Sequence, residues 1–184
     1  MKSRRTCAAQ PAFALYEFLD AIVKEVVKKN DWCDYQMMTA QKPKPLIREN
    51  YLLVAQASVG AQLFRKLYYN IGGKKIEVLR DGNLSCAFFV SAVIKIFGLI
   101  GVLHTTVTAT ITDLKRHGWK PIKKPREGAI IIWGLKKSKS GEIHRHIEFY
   151  LGNGNAVSTI DSSPKIHKWG YRPVEEILWN SKIA

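Results

Sequence analysis

The fold is decided by one stretch, Asn83-Leu84-Ser85-Cys86-Ala87-Phe88-Phe89-Val90-Ser91-Ala92-Val93-Ile94-Lys95-Ile96-Phe97-Gly98. It is apolar almost all the way round, and a helix without a polar face is buried at the centre of its domain. Gly98 offers a C-terminal stop. If Cys86 lies in the first turn, the partial positive charge at the helix start favours its thiolate. The alternative is that Cys86 is only a small buried apolar residue.

Composition narrows the class of protein and of partner. The 184 residues are 46% hydrophobic and 24% charged, which suits one globular domain with an N-terminal extension. The net charge of +14 predicts attraction to an anionic partner such as acidic lipid, cell-wall polymer or nucleic acid. Nucleic acid is disfavoured because no arginine-rich arm is present. Three widely spaced cysteines and the absence of metal-ligand motifs predict neither a disulfide framework nor a metal site.

The N-terminus gives an expectation about location. Met1–Arg5 has the charge of a signal peptide, but Gln10, Pro11 and Glu17 interrupt the apolar run that export would need. No run is long enough to span a membrane. We therefore expect a protein that is cytoplasmic as synthesised and that another machine could deliver to the cell wall.

The order of the predicted elements indicates an α+β domain. Residues 1–45 are predicted to form an N-terminal helical extension, and 46–184 the main domain. Two further helices are predicted over Glu49–Tyr69 and Val107–His117. The second half is predicted to form strands and a final helical turn: Ala129–Trp133, His146–Leu151, Asn155–Thr159 and Lys165–Tyr171 as strands, and Val174–Trp179 as the turn.

The strand His146–Leu151 holds the candidate partner of the cysteine. Period-two alternation places His146, Glu148 and Tyr150 on one face, and leaves the apolar residues between them for the core. A cysteine nucleophile needs a base to take its proton and a third polar group to orient that base. A histidine on a central strand, facing the start of a buried cysteine helix, would meet the first need.

Four segments in this order resemble the NlpC/P60 and CHAP group of papain-like cysteine amidases and endopeptidases. Tyr69-Asn70-Ile71-Gly72-Gly73 is similar to the family's Tyr-x-x-Gly-Gly turn, and Ser85-Cys86-Ala87-Phe88-Phe89-Val90 partly matches its Asp-Cys-Ser-Gly-Phe-Val. Arg126-Glu127-Gly128-Ala129-Ile130-Ile131-Ile132-Trp133 is similar to its Pro-Gly-Asp strand. His146-Ile147-Glu148-Phe149-Tyr150-Leu151-Gly152-Asn153-Gly154 matches His-Val-Gly-Ile-Tyr-Leu-Gly-Asn-Gly. The resemblance covers about residues 50–175.

The resemblance implies a papain-like fold in which N-terminal helices, including the buried nucleophile helix, pack on a C-terminal antiparallel sheet. Cys86 would be the nucleophile and His146 the base. The third catalytic position falls at Ser158 by register, but serine carries no charge. Glu148, which replaces a small residue of the family, and Asp161 are therefore alternatives, and His167 is a further candidate. Two residues would contact substrate: Tyr69 and Ser85.

The function implied is that of a cysteine-dependent amidase or endopeptidase acting on peptidoglycan peptide amides through a thioacyl-enzyme, without a cofactor. The expected partners are peptidoglycan or a peptide, with an anionic polymer held by the basic surface. Two alternatives stay open. One is another papain-like peptidase or an acyltransferase. The other is a catalytically silent basic module that binds an anionic cell-wall polymer, which the altered residues around Cys86 would suit.

Overall fold

The computed structural model describes residues 44–137 and 141–184, which fall almost entirely within one compact unit, Pro45–Ala184. Residues 1–43 of the predicted extension, with Cys7 and Cys33, lie outside the described residues. The described part is a mixed α+β fold, as the sequence predicted. Its three helices are α1 (Ile47–Ala57), α2 (Cys86–Ile96) and α3 (Val107–Arg116), and a short 3-10 turn, Ser181–Ile183, follows the last strand.

Eight strands form two antiparallel sheets in the described part of the chain. A two-stranded hairpin pairs β1 (Tyr68–Ile71) with β2 (Lys74–Glu77). The larger sheet has the order β3-β8-β4-β5-β6-β7. Its strands are β3 (Trp119–Pro121), β4 (Ile130–Lys137), β5 (Ile143–Gly152), β6 (Asn155–Ile160), β7 (Ser163–Lys168) and β8 (Val174–Asn180).

Helix α2 packs on the centre of this sheet, as its apolar sequence predicted. Phe89 projects from α2 to contact Phe149 of β5, with ring centroids 5.5 Å apart. Ile147, also on β5, faces the same core, so the predicted alternation along this strand is confirmed. Helix α1 packs into the same core, where the Tyr51 ring lies 5.7 Å from that of Phe149 and the Tyr51 hydroxyl donates to the Gly128 carbonyl. No helix in the described ranges is long and apolar enough to cross a membrane.

Local signals account for the start of α3 and for the ends of α2 and α3. Thr106 caps α3, because its side chain accepts a hydrogen bond from the backbone N–H of Ala109 at 3.3 Å. Gly98 and Gly118 follow α2 and α3 with φ of 66° and 88°, the left-handed conformation that ends helices.

Two predicted elements are wrong. The helix predicted over Glu49–Tyr69 ends at Ala57, since Ser58 turns its hydroxyl back onto the Val54 carbonyl and Gly60 has φ of 77°. Tyr69 consequently lies on strand β1. The helical turn predicted over Val174–Trp179 is instead strand β8, because pairing with β3 and β4 on its two sides satisfies its backbone.

Candidate active site

Cys86 is the first residue of α2 and lies against strand β5. Its Sγ accepts a hydrogen bond from the backbone N–H of Ile147, the residue after His146. The side chain is buried, and burial raises the pKa of the Cys86 thiol to about 11 despite this bond and the N–H of Ala87. The N–H groups at the helix start do lower the pKa of Cys86, as expected, but desolvation by burial is the larger effect.

The turn before α2 is held tightly against the sheet. Gly82 has φ of 91°, and a Cβ at this position would lie 2.7 Å from Cα of Ser162 in the β6–β7 turn. Ser85 is fully buried, and its hydroxyl donates to the Gly82 carbonyl at 2.7 Å. Ser85, which the resemblance placed in contact with substrate, thus stabilises this turn and positions Cys86.

His146 lies on β5, opposite Trp133 of β4. Its Nε2 atom is buried and has no hydrogen-bond partner among the described residues. Burial, together with the nearby positive charge of Arg172, lowers the pKa of His146 to about 3. The imidazole is therefore neutral near pH 7, with one ring nitrogen able to accept a proton.

Glu148, two residues along β5, is fully buried and faces His167 of β7. Glu148 Oε2 lies 3.4 Å from His167 Nε2. Burial raises the pKa of Glu148 to about 8, although Trp133 and Tyr171 lie close enough to oppose the shift. Neither carboxyl oxygen makes a hydrogen bond of normal geometry within the described ranges. Ser158 completes this group, with its Oγ 3.0 Å from His167 Nε2.

The segment Trp169–Pro173 forms the outer wall of the cluster. The Tyr171 ring lies 4.9 Å from Trp133 and 5.3 Å from His167, measured between ring centroids. Arg172 donates to two backbone carbonyls, those of Gly134 and His144. The Arg172 charge partly offsets the burial-driven rise in the pKa of Cys86 and Glu148, and it adds to the fall in the pKa of His146.

Buried polar atoms without partners concentrate at this cluster. In the described part of the chain five such atoms occur, and all belong to strands β4 and β5: Trp133 Nε1, His144 Nδ1, His146 Nε2 and both carboxyl oxygens of Glu148. Folded proteins leave few buried polar groups unpaired, and those that remain often have a chemical role. This concentration marks the cluster as the candidate site.

The other two predicted site residues lie on turns and exposed strands. Tyr69 is 46% exposed on the β1–β2 hairpin, and no hydrogen bond or ring contact joins it to the cluster within the described residues. Asp161 lies in the β6–β7 turn with φ of 48°, and its exposed side chain pairs with Lys165 at 2.9 Å.

A second group of titratable residues stabilises a loop. Asp113 Oδ2 lies 2.7 Å from His104 Nε2 and accepts the N–H groups of Gly101 and Val102, while Asp113 Oδ1 lies 2.9 Å from His117 Nδ1. Burial opposes ionisation, but these partners lower the pKa of Asp113. A surface depression of about 390 Å³ beside it is lined by none of the residues around Cys86. No group suited to hold a metal ion occurs among the residues described.

Sequence reasoning missed Tyr171 and Arg172. The prediction ended a strand at Tyr171, whereas β7 ends at Lys168 and Gly170 turns the chain with φ of 87°. The available signal was Trp169-Gly170-Tyr171-Arg172-Pro173, in which Gly and Pro interrupt the strand pattern.

Comparison with known proteins adds no relative, since no family model matches the chain and no curated protein matches it significantly.

Proposed function

We propose that this chain is a papain-like cysteine hydrolase of the NlpC/P60 or CHAP type that cleaves amide bonds through Cys86. The observation that carries the proposal is the placement of Cys86 at the start of the buried helix α2, with its Sγ bonded to the backbone N–H next to His146. The unpartnered Nε2 of His146 supplies the base that such chemistry needs.

The charge states argue against a stored thiolate–imidazolium pair, so the proposed proton transfer accompanies the attack. A thiol with a pKa of about 11 and an imidazole with a pKa of about 3 are both neutral near pH 7. His146 takes the thiol proton as Sγ bonds to the amide carbonyl carbon, and then gives this proton to the leaving amine as the C–N bond breaks. Water, deprotonated by His146, releases the acid from the thioacyl-enzyme and restores the thiol.

Neighbouring groups would assist these steps. Backbone N–H groups at the start of α2 would stabilise the carbonyl oxygen as it becomes negative. The nearby positive charge of Arg172 would also stabilise this oxyanion, since it partly offsets the rise in the pKa of Cys86. The substrate class, a peptidoglycan stem-peptide or crosslink amide, follows from the sequence resemblance and from a net charge of +14 that suits anionic cell-wall material.

The proposal is tested by incubating purified wild-type, Cys86→Ala and Cys86→Ser chains with muropeptides and following product release by mass spectrometry. We expect release by the wild type alone, because the serine hydroxyl is a far weaker acid and a poorer nucleophile than the thiol. His146→Gln should lose activity as well. Equal release by the wild type and Cys86→Ala would overturn the proposal.

A second candidate function is that of a catalytically silent basic module, which the deep burial of Cys86 and its neighbours favours. Because Cys86 is only 9% exposed and Glu148 is fully buried, substrate cannot reach the thiol unless the segment Trp169–Pro173 moves. Such a module would bind an anionic cell-wall polymer without turnover, and Cys86→Ala would leave that binding unchanged. Turnover of any amide that requires Cys86 would eliminate this candidate.

A further inference from the structure

The hairpin formed by β1 and β2 stands apart from the larger sheet. Each strand has four residues, and within the described residues neither strand pairs with the six-stranded sheet. Every residue of the two strands except Glu77 is exposed. An isolated two-stranded ribbon is marginally stable in water, so burying its apolar side chains elsewhere would stabilise it.

One face of this hairpin is mostly apolar. Tyr69 pairs across the ribbon with Ile76, and Ile71 pairs with Lys74, so three large apolar side chains share a face with one lysine. Tyr69, Ile71 and Ile76 are 46%, 57% and 39% exposed. A contiguous exposed apolar group of this kind marks an interaction surface more often than scattered single residues do.

The hairpin also carries positive charge at its turn. Within the described residues, neither Lys74 nor Lys75 forms an ion pair with a carboxylate, and Lys75 Nζ lies 4.3 Å from the centre of the Tyr68 ring. The one acidic residue of the hairpin, Glu77, already accepts hydrogen bonds from the backbone. Glu77 accepts hydrogen bonds from the N–H groups of Leu79 and Asp81 at 2.7 and 2.9 Å.

From these contacts we propose that the hairpin, residues 68–77, docks the protein onto a bilayer surface that contains anionic lipid. Ile71 and Ile76 would enter the boundary between headgroups and acyl chains, where Tyr69 also prefers to lie. Lys74, on the same face, and Lys75, on the opposite face at the same turn, would extend along this boundary to the lipid phosphates. This surface does not depend on the hydrolase proposed above, because it uses no residue of the cluster around Cys86.

Lipid suits the hairpin better than other partners. Glycans and single-stranded nucleic acids are held by stacking on aromatic rings and by planar polar groups, whereas two of the four side chains on this face are isoleucines and only one is aromatic. A second copy of the chain would bring the same lysines together and would be repelled. An anionic bilayer offers both the apolar layer and the opposite charge.

The test is sedimentation of the full chain with vesicles of phosphatidylcholine alone or of phosphatidylcholine mixed with phosphatidylglycerol. We expect binding only to the anionic vesicles, weakening as salt rises. Replacing both hairpin lysines (Lys74→Gln with Lys75→Gln) should weaken binding about 10- to 30-fold. Replacing both isoleucines (Ile71→Ser with Ile76→Ser) should weaken it by about fivefold or more.

Matched variants control for general charge and surface apolarity. Ile166→Ser changes an isoleucine of similar exposure, 51%, on strand β7, and Lys123→Gln with Lys124→Gln removes two lysines elsewhere. Both should leave vesicle binding unchanged, and circular dichroism confirms that every variant is folded. The proposal fails if the full chain does not bind anionic vesicles, if hairpin and control variants bind alike, or if the hairpin residues support binding to DNA or heparin instead.

Discussion

Ser158 Oγ and His167 Nε2 lie 3.0 Å apart across strands β6 and β7. The other ring nitrogen, Nδ1, lies 3.0 Å from the Lys168 carbonyl, which can only accept a hydrogen bond. Nδ1 therefore carries the hydrogen in the neutral ring, and Nε2 accepts the Ser158 hydroxyl. Ser158, the residue predicted to orient His146 as the third member of a catalytic triad, thus hydrogen-bonds to His167 instead.

Ser158→Ala tests this assignment. We expect the free energy of unfolding to fall by about 1 kcal/mol, the usual cost of one buried hydrogen bond, with little change in the rate at which iodoacetamide alkylates Cys86. Urea titration and mass spectrometry measure the two quantities. Ser85→Ala, which removes another buried hydroxyl, should cost a similar amount. A large drop in the alkylation rate of Ser158→Ala, with stability intact, would restore Ser158 to the triad.

Glu148→Gln should make the protein more stable at alkaline pH. Burial raises the pKa of Glu148 from 4.5 to about 8, so the folded chain holds a proton that the unfolded chain releases. The contribution of protonated Glu148 to the free energy of unfolding is therefore full below pH 4.5 and is lost as pH rises towards 8. The total loss is on the order of several kcal/mol. Glutamine keeps the shape without the charge, so the variant should lose this dependence.

Denaturant midpoints at about pH 5, 7 and 8.5 measure the effect. Glu142→Gln is the matched control, because Glu142 is exposed and its pKa is lowered by Arg80. This control should keep the decline of the wild type across the same pH range. If Glu148→Gln declined as steeply as the wild type, the carboxyl group would already be ionised at neutral pH in the folded protein.

The parts of the fold that depend on local pattern could be predicted from sequence. Helix α2 followed from an apolar run with a glycine stop, and the alternation along β5 correctly separated Glu148 from Ile147 and Phe149. Each such feature is fixed within a few residues by helix caps or by the period of the strand. The α+β class followed from their order.

The remainder depends on contacts distant in sequence. Segment Val174–Trp179 has no strong strand alternation, and becomes a strand because β3 and β4 lie on either side of it. Tyr171 and Arg172 join the site only because the turn at Gly170 returns the chain over β4 and β5. The partner of Ser158 depends on the β6–β7 register, which places His167 opposite Ala156 on the neighbouring strand.

Cys86 should react slowly with iodoacetamide at neutral pH. Because burial raises the pKa of its thiol to about 11, little thiolate exists at pH 7, and the rate should rise about tenfold per pH unit up to the pKa. At pH 7 it should be on the order of 100-fold below the rate of the urea-unfolded chain, where the thiol has an ordinary pKa. Cys7→Ala with Cys33→Ala confines the label to Cys86. A fast rate that levels off below pH 7 would show a stored thiolate instead.

Gly82→Ala should destabilise the chain more than the same change at another glycine with positive φ. Alanine at φ of 91° is strained, and its Cβ would also lie 2.7 Å from the Ser162 backbone, so we expect a loss of about 3 kcal/mol. Gly73→Ala is the control, since Gly73 has φ of 78° and, its two chain neighbours aside, no atom of the described residues lies within 4 Å of the position that its Cβ would take. It should cost about 1 kcal/mol from backbone strain alone. Urea unfolding measures both, and equal losses would mean that the turn before Cys86 does not pack against the β6–β7 turn in solution.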